Sequence, residues 1–208
     1  MLDEDGALKE FADFVNESVE LPSAVDIRFA ECGQVNAFYD PNEKQISTCY
    51  ELVEHYVVQM AQEYPDQDAA MEAAEGAFML VPFHELGHAL VDVMDLPITG
   101  REEDAVDQLA AWAMIDSGAG DEAVLNSALS YYRSAERSGG QVSAAEFADE
   151  HSLNLQRFYN LVCWVYGSNP QKHAGLVGGQ LLPEARAQRC PSEYSKLDRS
   201  WTALLEGP

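Results

Sequence analysis

The chain has 208 residues, 47% of them apolar, with three Trp, nine Tyr and eight Phe; that length and aromatic content build a buried core and exclude intrinsic disorder. Thirty-six acidic residues face 12 basic ones, a net charge of -24, and a surface this negative excludes nucleic acid and anionic membranes as partners. No apolar run is long enough to span a bilayer, so membrane insertion is not expected and the charge reads as a solubilising surface.

Residues 2–20 place Leu8, Phe11, Phe14 and Val15 at helical spacing, and Pro22 stops that helix. Residues 25–29 and 35–39 read as strands. Asp40-Pro41-Asn42-Glu43 is a turn, and residues 45–50 return as the second arm of a hairpin. Residues 50–64 carry Leu52, Val53, Tyr56, Val57 and Met60 on a helical face. A long helix follows from Ala69 to about Met94, with Pro82 inside it either kinking it or marking its true start. Further helices are expected at 102–115, at 121–137, from a capping box at Ser143-Ala144-Ala145-Glu146, at 154–166 and at 191–205. The breaks fall at Ser117-Gly118-Ala119-Gly120, Ser138-Gly139-Gly140, Gly167-Ser168-Asn169-Pro170, and Gly178-Gly179 with Pro183. No repeat or linker divides the chain, so residues 1–208 are expected to form one domain, α+β and mainly α, with a small N-terminal hairpin or sheet.

The four cysteines contain no C-x-x-C pair, which argues against a structural zinc knuckle or a thioredoxin-like centre. Three pairings are possible, and four buried thiols are the alternative. Local pairing, Cys32–Cys49 and Cys163–Cys190, is the simplest, since the hairpin brings Cys49 near the start of the preceding strand and close to Cys32. Two disulfides place the protein outside the cytosol, secreted or periplasmic. The opening Met1-Leu2-Asp3-Glu4-Asp5 carries no leader, so the expectation is a mature form.

The chemistry-bearing stretch is Pro82-Phe83-His84-Glu85-Leu86-Gly87-His88-Ala89-Leu90. On a helix, His84 and His88 project from one face, the geometry for two corners of a tetrahedral zinc site. Glu85 stands where it can act as general base on a metal-bound water. The flanks are apolar on most sides, so this cluster is expected to be buried and to need polar partners. A catalytic zinc takes three protein ligands and keeps one position open. The third is expected downstream in Gly100-Arg101-Glu102-Glu103-Asp104-Ala105-Val106-Asp107, where Glu103 and Asp107 share a helix face.

Here the chain resembles the glutamate-type zincins, in which H-E-x-x-H is followed on a second helix by E-x-x-x-D. The resemblance implies His84, His88 and Glu103 as zinc ligands, Glu85 as base and Asp107 as the residue that orients His84. A ligating histidine commonly donates its other N–H to a carboxylate, which independently suits Asp107. Fourteen residues separate His88 from Glu103, fewer than in thermolysin-like enzymes, and Asp107 as the direct ligand, as in aspartate-type zincins, is the rival. If Glu103 faces the metal, Glu102 and Asp104 point elsewhere, as negative charges at a helix N-terminus. The segments HELGHALVDVMDLPITGREEDAVDQLA, DEHSLNLQRFYNLVCWVYG and LLPEARAQRCPSEY are similar to the bacterial family of "putative metallopeptidases" known as DUF4344. That resemblance spans most of the chain. It implies a zincin-like metallopeptidase domain built around an active-site helix.

Hydrolysis by zinc-activated water develops negative charge on the carbonyl oxygen, and a donor opposite the metal stabilises it. His151, in Asp149-Glu150-His151, is the first candidate for this catalytic role, against a merely local packing role; Arg157 and Tyr159 follow it. An arginine in an apolar helix of so acidic a chain also suits a buried acidic partner, and that structural reading is preferred for Arg157. His55 and His173 read as surface or packing residues. By analogy with zincins, the strand at 35–39 would add a substrate strand, with Asn36 and Ala37 near the cleft. The resulting expectation is a zinc metallopeptidase acting on a peptide or protein. An amidohydrolase of non-peptide substrates and a non-catalytic zinc-binding protein are the alternatives.

Overall fold

The computed structural model describes residues 4–118, 120–139, 141–179 and 181–206. Leu2 and Asp3 of the first expected helix, and the expected breaks at Ala119 and Gly140, lie outside these. The fold is α+β and mainly α. Helix α1 (Glu4–Ser18) leads into strands β1 (Asp26–Ala30), β2 (Ala37–Asp40) and β3 (Gln45–Cys49). Helices α2 (Tyr50–Glu63), α3 (Gln67–Val93), α4 (Glu102–Asp116) and α5 (Asp121–Arg137) follow. A single-turn α6 (Ala144–Ala148), then α7 (Asn154–Ser168), a 3-10 turn at Ala174–Leu176, a short α8 (Glu184–Ala187) and α9 (Cys190–Glu206) complete the chain.

The hairpin forms as expected, with β2 antiparallel to β3 in the register Ala37 opposite Thr48 and Asp40 opposite Gln45. The turn is fixed by Asp40, whose Oδ1 accepts the Asn42 N–H at 2.9 Å. The strand order β1-β3-β2 adds a feature absent from the sequence reading: β1 pairs with β3 in parallel, with Ala30 beside Cys49. That pairing, rather than proximity to the start of β2, carries the chain end of β1 to Cys49. Cys32 is disulfide-bonded to Cys49 at a Cα separation of 5.5 Å, and Cys163 to Cys190 at 5.2 Å. Among the described residues no cysteine is free.

Helix α3 is the centre of the fold. Asp66 caps it, accepting the Ala69 N–H at 3.0 Å, and it runs unbroken through Pro82, which therefore does not mark its start. Its alanines at 70, 73, 74, 77 and 89 and its Leu80, Phe83, Leu86 and Leu90 are buried because α2, α4, α5 and the sheet all pack on it. From α1, Phe11 and Phe14 meet Phe83 edge-on, with ring centroids 5.2 and 5.4 Å apart. The main core continues through Leu109, Met114, Val124, Leu161, Val162, Val165 and Trp201 to the far helices. The capping box at Ser143 and Glu146 is present, but the helix it opens has one turn and no buried residue. Every residue from 141 to 150 is exposed. Helix α8 went unanticipated because its four residues are too few to show a period. Among the described residues no helix is long and apolar enough to cross a membrane.

Candidate metal centre

The polar residues of an otherwise apolar α3 must find partners inside the protein. His84 and His88 lie one turn apart with ring centroids 5.0 Å from each other. Helix α4 passes close because position 87 is glycine. A Cβ there would stand 2.7 Å from Val106 Cβ. The approach sets Glu103, in the first turn of α4, against both rings: Oε2 is 3.1 Å from His84 Nε2, and Oε1 is 3.3 Å from His88 Nε2. From the opposite side His151, just ahead of α7, places its Nε2 3.0 Å from Glu103 Oε2 and stacks its ring on His84 at 6.0 Å.

The three imidazoles share one arrangement. Each Nδ1 is bound to a carboxylate: His84 to Asp107 at 2.8 Å, His88 to Glu102 at 2.7 Å and His151 to Asp149 at 3.0 Å. Each Nε2 turns to Glu103. A neutral imidazole that donates from Nδ1 presents a lone pair at Nε2. Glu103 Oε2 is buried and has no hydrogen-bond partner; His84 and His151 stand close to it, yet neither ring is aligned to donate. Ligands of a shared cation are disposed in this way, each pointing at the ion rather than at its neighbour. The ligand atoms of His84, His88 and Glu103 lie within 4.8 Å of one another. Two imidazole nitrogens and a carboxylate, with the outer nitrogens held by further carboxylates, are a donor set that fits zinc. The group Glu103, Glu150 and His151 also falls within 4.8 Å and shares its carboxylate with the first.

A family model described as "Putative metallopeptidase" (DUF4344) matches residues 1–205. The chain belongs to this family. Comparison with curated proteins and with solved structures gave no match.

Electrostatics in this DUF4344 site favour a positive charge at its centre. Burial alone would depress the His84 ring, but the hydrogen bond to Asp107 and the Glu103 carboxylate close beside it carry it up to about 9. His88 is raised despite its burial by Glu103 and Glu102, and His151 is raised by Glu103. Glu103 is held far below the usual carboxylate range, because His151, His84 and His88 together outweigh its burial. Burial raises Glu85, more than the neighbouring His84 and His88 lower it, so its carboxylate takes up a proton more readily than a surface glutamate does. The Tyr39 backbone N–H donates to Glu85.

These groups line a cavity of about 790 Å³. Of the residues singled out in the sequence, His84, Glu85, His88, Glu103, His151, Asn36 and Ala37 all face it, and Arg157 does too. Asp107 lies behind His84, 5% exposed, and is bonded by Arg157 through Nε to Oδ2 at 2.7 Å and Nη2 to Oδ1 at 2.6 Å. Arg157 thus has the acidic partner expected of it. Two expectations are corrected. Glu102 does not point away from the site, since its carboxylate holds His88 Nδ1. Tyr159 does not reach the cavity; its ring lies 4.9 Å from that of Phe158, packed against the core. His173, expected at the surface or in packing, is partly buried, with Nε2 2.9 Å from Asp121 Oδ2. Asp104 does turn aside and accepts from Ser152 Oγ at 2.6 Å. The sequence reading missed Tyr56 and Tyr131, which line the cavity from α2 and α5. Aromatic residues at helical spacing read as core, and nothing local separates a core tyrosine from a cavity tyrosine.

Proposed function

We propose that this chain is a single-domain, zincin-like zinc metallopeptidase whose metal ligands are His84, His88 and Glu103. The observation that carries the reading is the convergence of two Nε2 atoms on one carboxylate, that of Glu103, whose buried Oε2 no hydrogen-bond donor satisfies. A bound zinc ion would supply Lewis acidity, polarising the scissile carbonyl and acidifying a water molecule. Glu85 takes the proton from the attacking water and passes it to the leaving amine, a role suited to a carboxylate whose proton affinity burial has raised. His151, oriented by Asp149, faces the same space and in its protonated form, which Glu103 favours, donates from Nε2 to the negative charge developing on the carbonyl oxygen. Asp107 holds the His84 ring in place.

A peptide is favoured over a small amide because β2, an edge strand of the sheet, lines the cavity along Ala37, Phe38 and Tyr39. An extended substrate can add to such an edge by backbone hydrogen bonds. The two disulfides support a secreted or periplasmic setting.

Purified protein should hold about one zinc ion per chain, removable by a chelator. Glu85→Gln should keep that zinc while cleavage of a proteome-derived peptide library falls at least ~100-fold. Protein that binds no zinc, or a Glu85→Gln variant with undiminished cleavage, overturns the proposal.

A further inference from the structure

Arg157 makes an unusual set of contacts for a residue that touches no proposed ligand. Both of its hydrogen-bonding edges toward Asp107 are used, through Nε and Nη2. Its guanidinium lies 4.1 Å over the ring of Tyr131. Its side chain is 11% exposed and that of Asp107 7%. Asp107 Oδ1, which accepts from Nη2, also accepts His84 Nδ1–H at 2.8 Å. The contacts therefore run from Tyr131 on α5, through Arg157 on α7 and Asp107 on α4, to His84 on α3. Four helices meet at one imidazole.

A carboxylate on a flexible Cβ–Cγ bond can present its oxygens in many planes. A fork that binds both oxygens allows one. With the plane fixed, Oδ1 stays where the His84 ring can reach it, and the ring then directs Nε2 into the cavity. The Tyr131 face fixes the guanidinium in its turn. We infer that Arg157 is a positioning residue of the metal centre, aligning His84 through Asp107. This rests on the proposed role of His84 as a zinc ligand. The claim differs from simple charge neutralisation, which any cation would supply. Lysine keeps the charge but offers neither the two-pronged bond nor the planar stacking surface.

The test is a set of zinc affinities, measured by competition with a chromophoric chelator, for the wild-type chain, Arg157→Lys, Asp107→Asn and the double variant. Thermal melts of the metal-free forms run alongside. Arg157→Lys should weaken zinc binding about 10- to 100-fold, and the double variant should bind no more weakly than Asp107→Asn alone, because the arginine acts through that carboxylate. Wild-type affinity in Arg157→Lys, or losses that multiply in the double variant, overturn the inference. A lowered melting temperature with unchanged zinc affinity marks a structural role only and also overturns it. If Arg157→Lys does not fold, Tyr131→Leu tests the same chain of contacts from its other end: weakened zinc binding supports the inference, and wild-type binding overturns it. A wild-type chain that binds no zinc removes the proposed function, and the inference with it.

Discussion

The contact between Gly87 and Val106 gives a sharp test of how the fold builds the site. A Cβ at position 87 would lie 2.7 Å from Val106 Cβ, 2.8 Å from Cγ1 and 3.2 Å from Cα. Carbon atoms rest about 3.5–4.0 Å apart, so Gly87→Ala must push α3 and α4 apart by about 1 Å. Val106 is wholly buried and cannot swing away into solvent. Overpacking of this kind costs about 1–3 kcal/mol, and alanine returns about 1 kcal/mol of helix propensity, leaving a net loss of roughly 0–2 kcal/mol. The consequence at the site is larger. Glu103 stands one turn before Val106, so the same shift draws its carboxylate away from the 3.1 and 3.3 Å contacts with His84 and His88. A misplacement of about 1 Å at a reacting centre can cost about 100-fold in rate. Urea melts should therefore show mild destabilisation, while zinc affinity and peptide cleavage fall steeply. Val106→Ala in the same chain removes the Cγ1 clash but leaves Cβ at 2.7 Å, so rescue should be partial. Gly87→Ala with wild-type zinc affinity would refute the claim that this close approach sets the ligand spacing.

Three further outcomes follow from the geometry. Asp107→Asn should weaken zinc binding about 10- to 100-fold, whereas Glu102→Gln should do less, since the side chain of Glu102 is 47% exposed and that of Asp107 only 7%; equal losses in a competition assay would contradict that ranking. Replacing Cys163 and Cys190 together by serine frees a bridge across 27 residues of sequence separation, a loop-closure contribution of about 3.5 kcal/mol, and should lower the melting temperature by roughly 10 °C. Glu103→Gln should abolish stable zinc binding while the chain stays folded by circular dichroism; retention of zinc would shift the ligand role to another carboxylate.

The helices were legible where a period of 3.6 coincided with a boundary signal. The span of α5 is the one that periodicity and flanking glycines predict, and the Ser143–Glu146 capping box is formed. Parallel pairing of β1 with β3 was not legible, because two short strands carry no local mark of which neighbour they choose. The H-E-x-x-H turn announced itself because histidine spacing on a helix is a local property. Partners from distant parts of the chain were harder. Arg157 could be assigned an acidic partner from its apolar setting, but Tyr131 reaches the cavity only because α5 packs across α3 and α7, a tertiary fact with no signature in the residues around it. Glu102 was misjudged for a related reason: a carboxylate at a helix N-terminus is fully explained by the helix dipole, so nothing required it to meet His88.

Glu103 and Asp107 stand one turn apart on α4, and the sequence leaves either of them free to be the third ligand. The two nitrogens of a single ring separate them. An imidazole held by Nδ1 on one side offers Nε2 on the other, across the width of the ring. Asp107, the deeper residue, meets Nδ1 of His84 and has both oxygens taken, Oδ1 by His84 and Arg157 and Oδ2 by Arg157. Turning it toward an ion in the cavity would abandon a buried guanidinium, a loss of several kcal/mol. Glu103, nearer the helix start, meets Nε2 of both histidines and retains a buried oxygen without a donor. On this reading the four-residue offset gives each carboxylate a separate task, the outer one toward the metal and the inner one toward the ring that holds it.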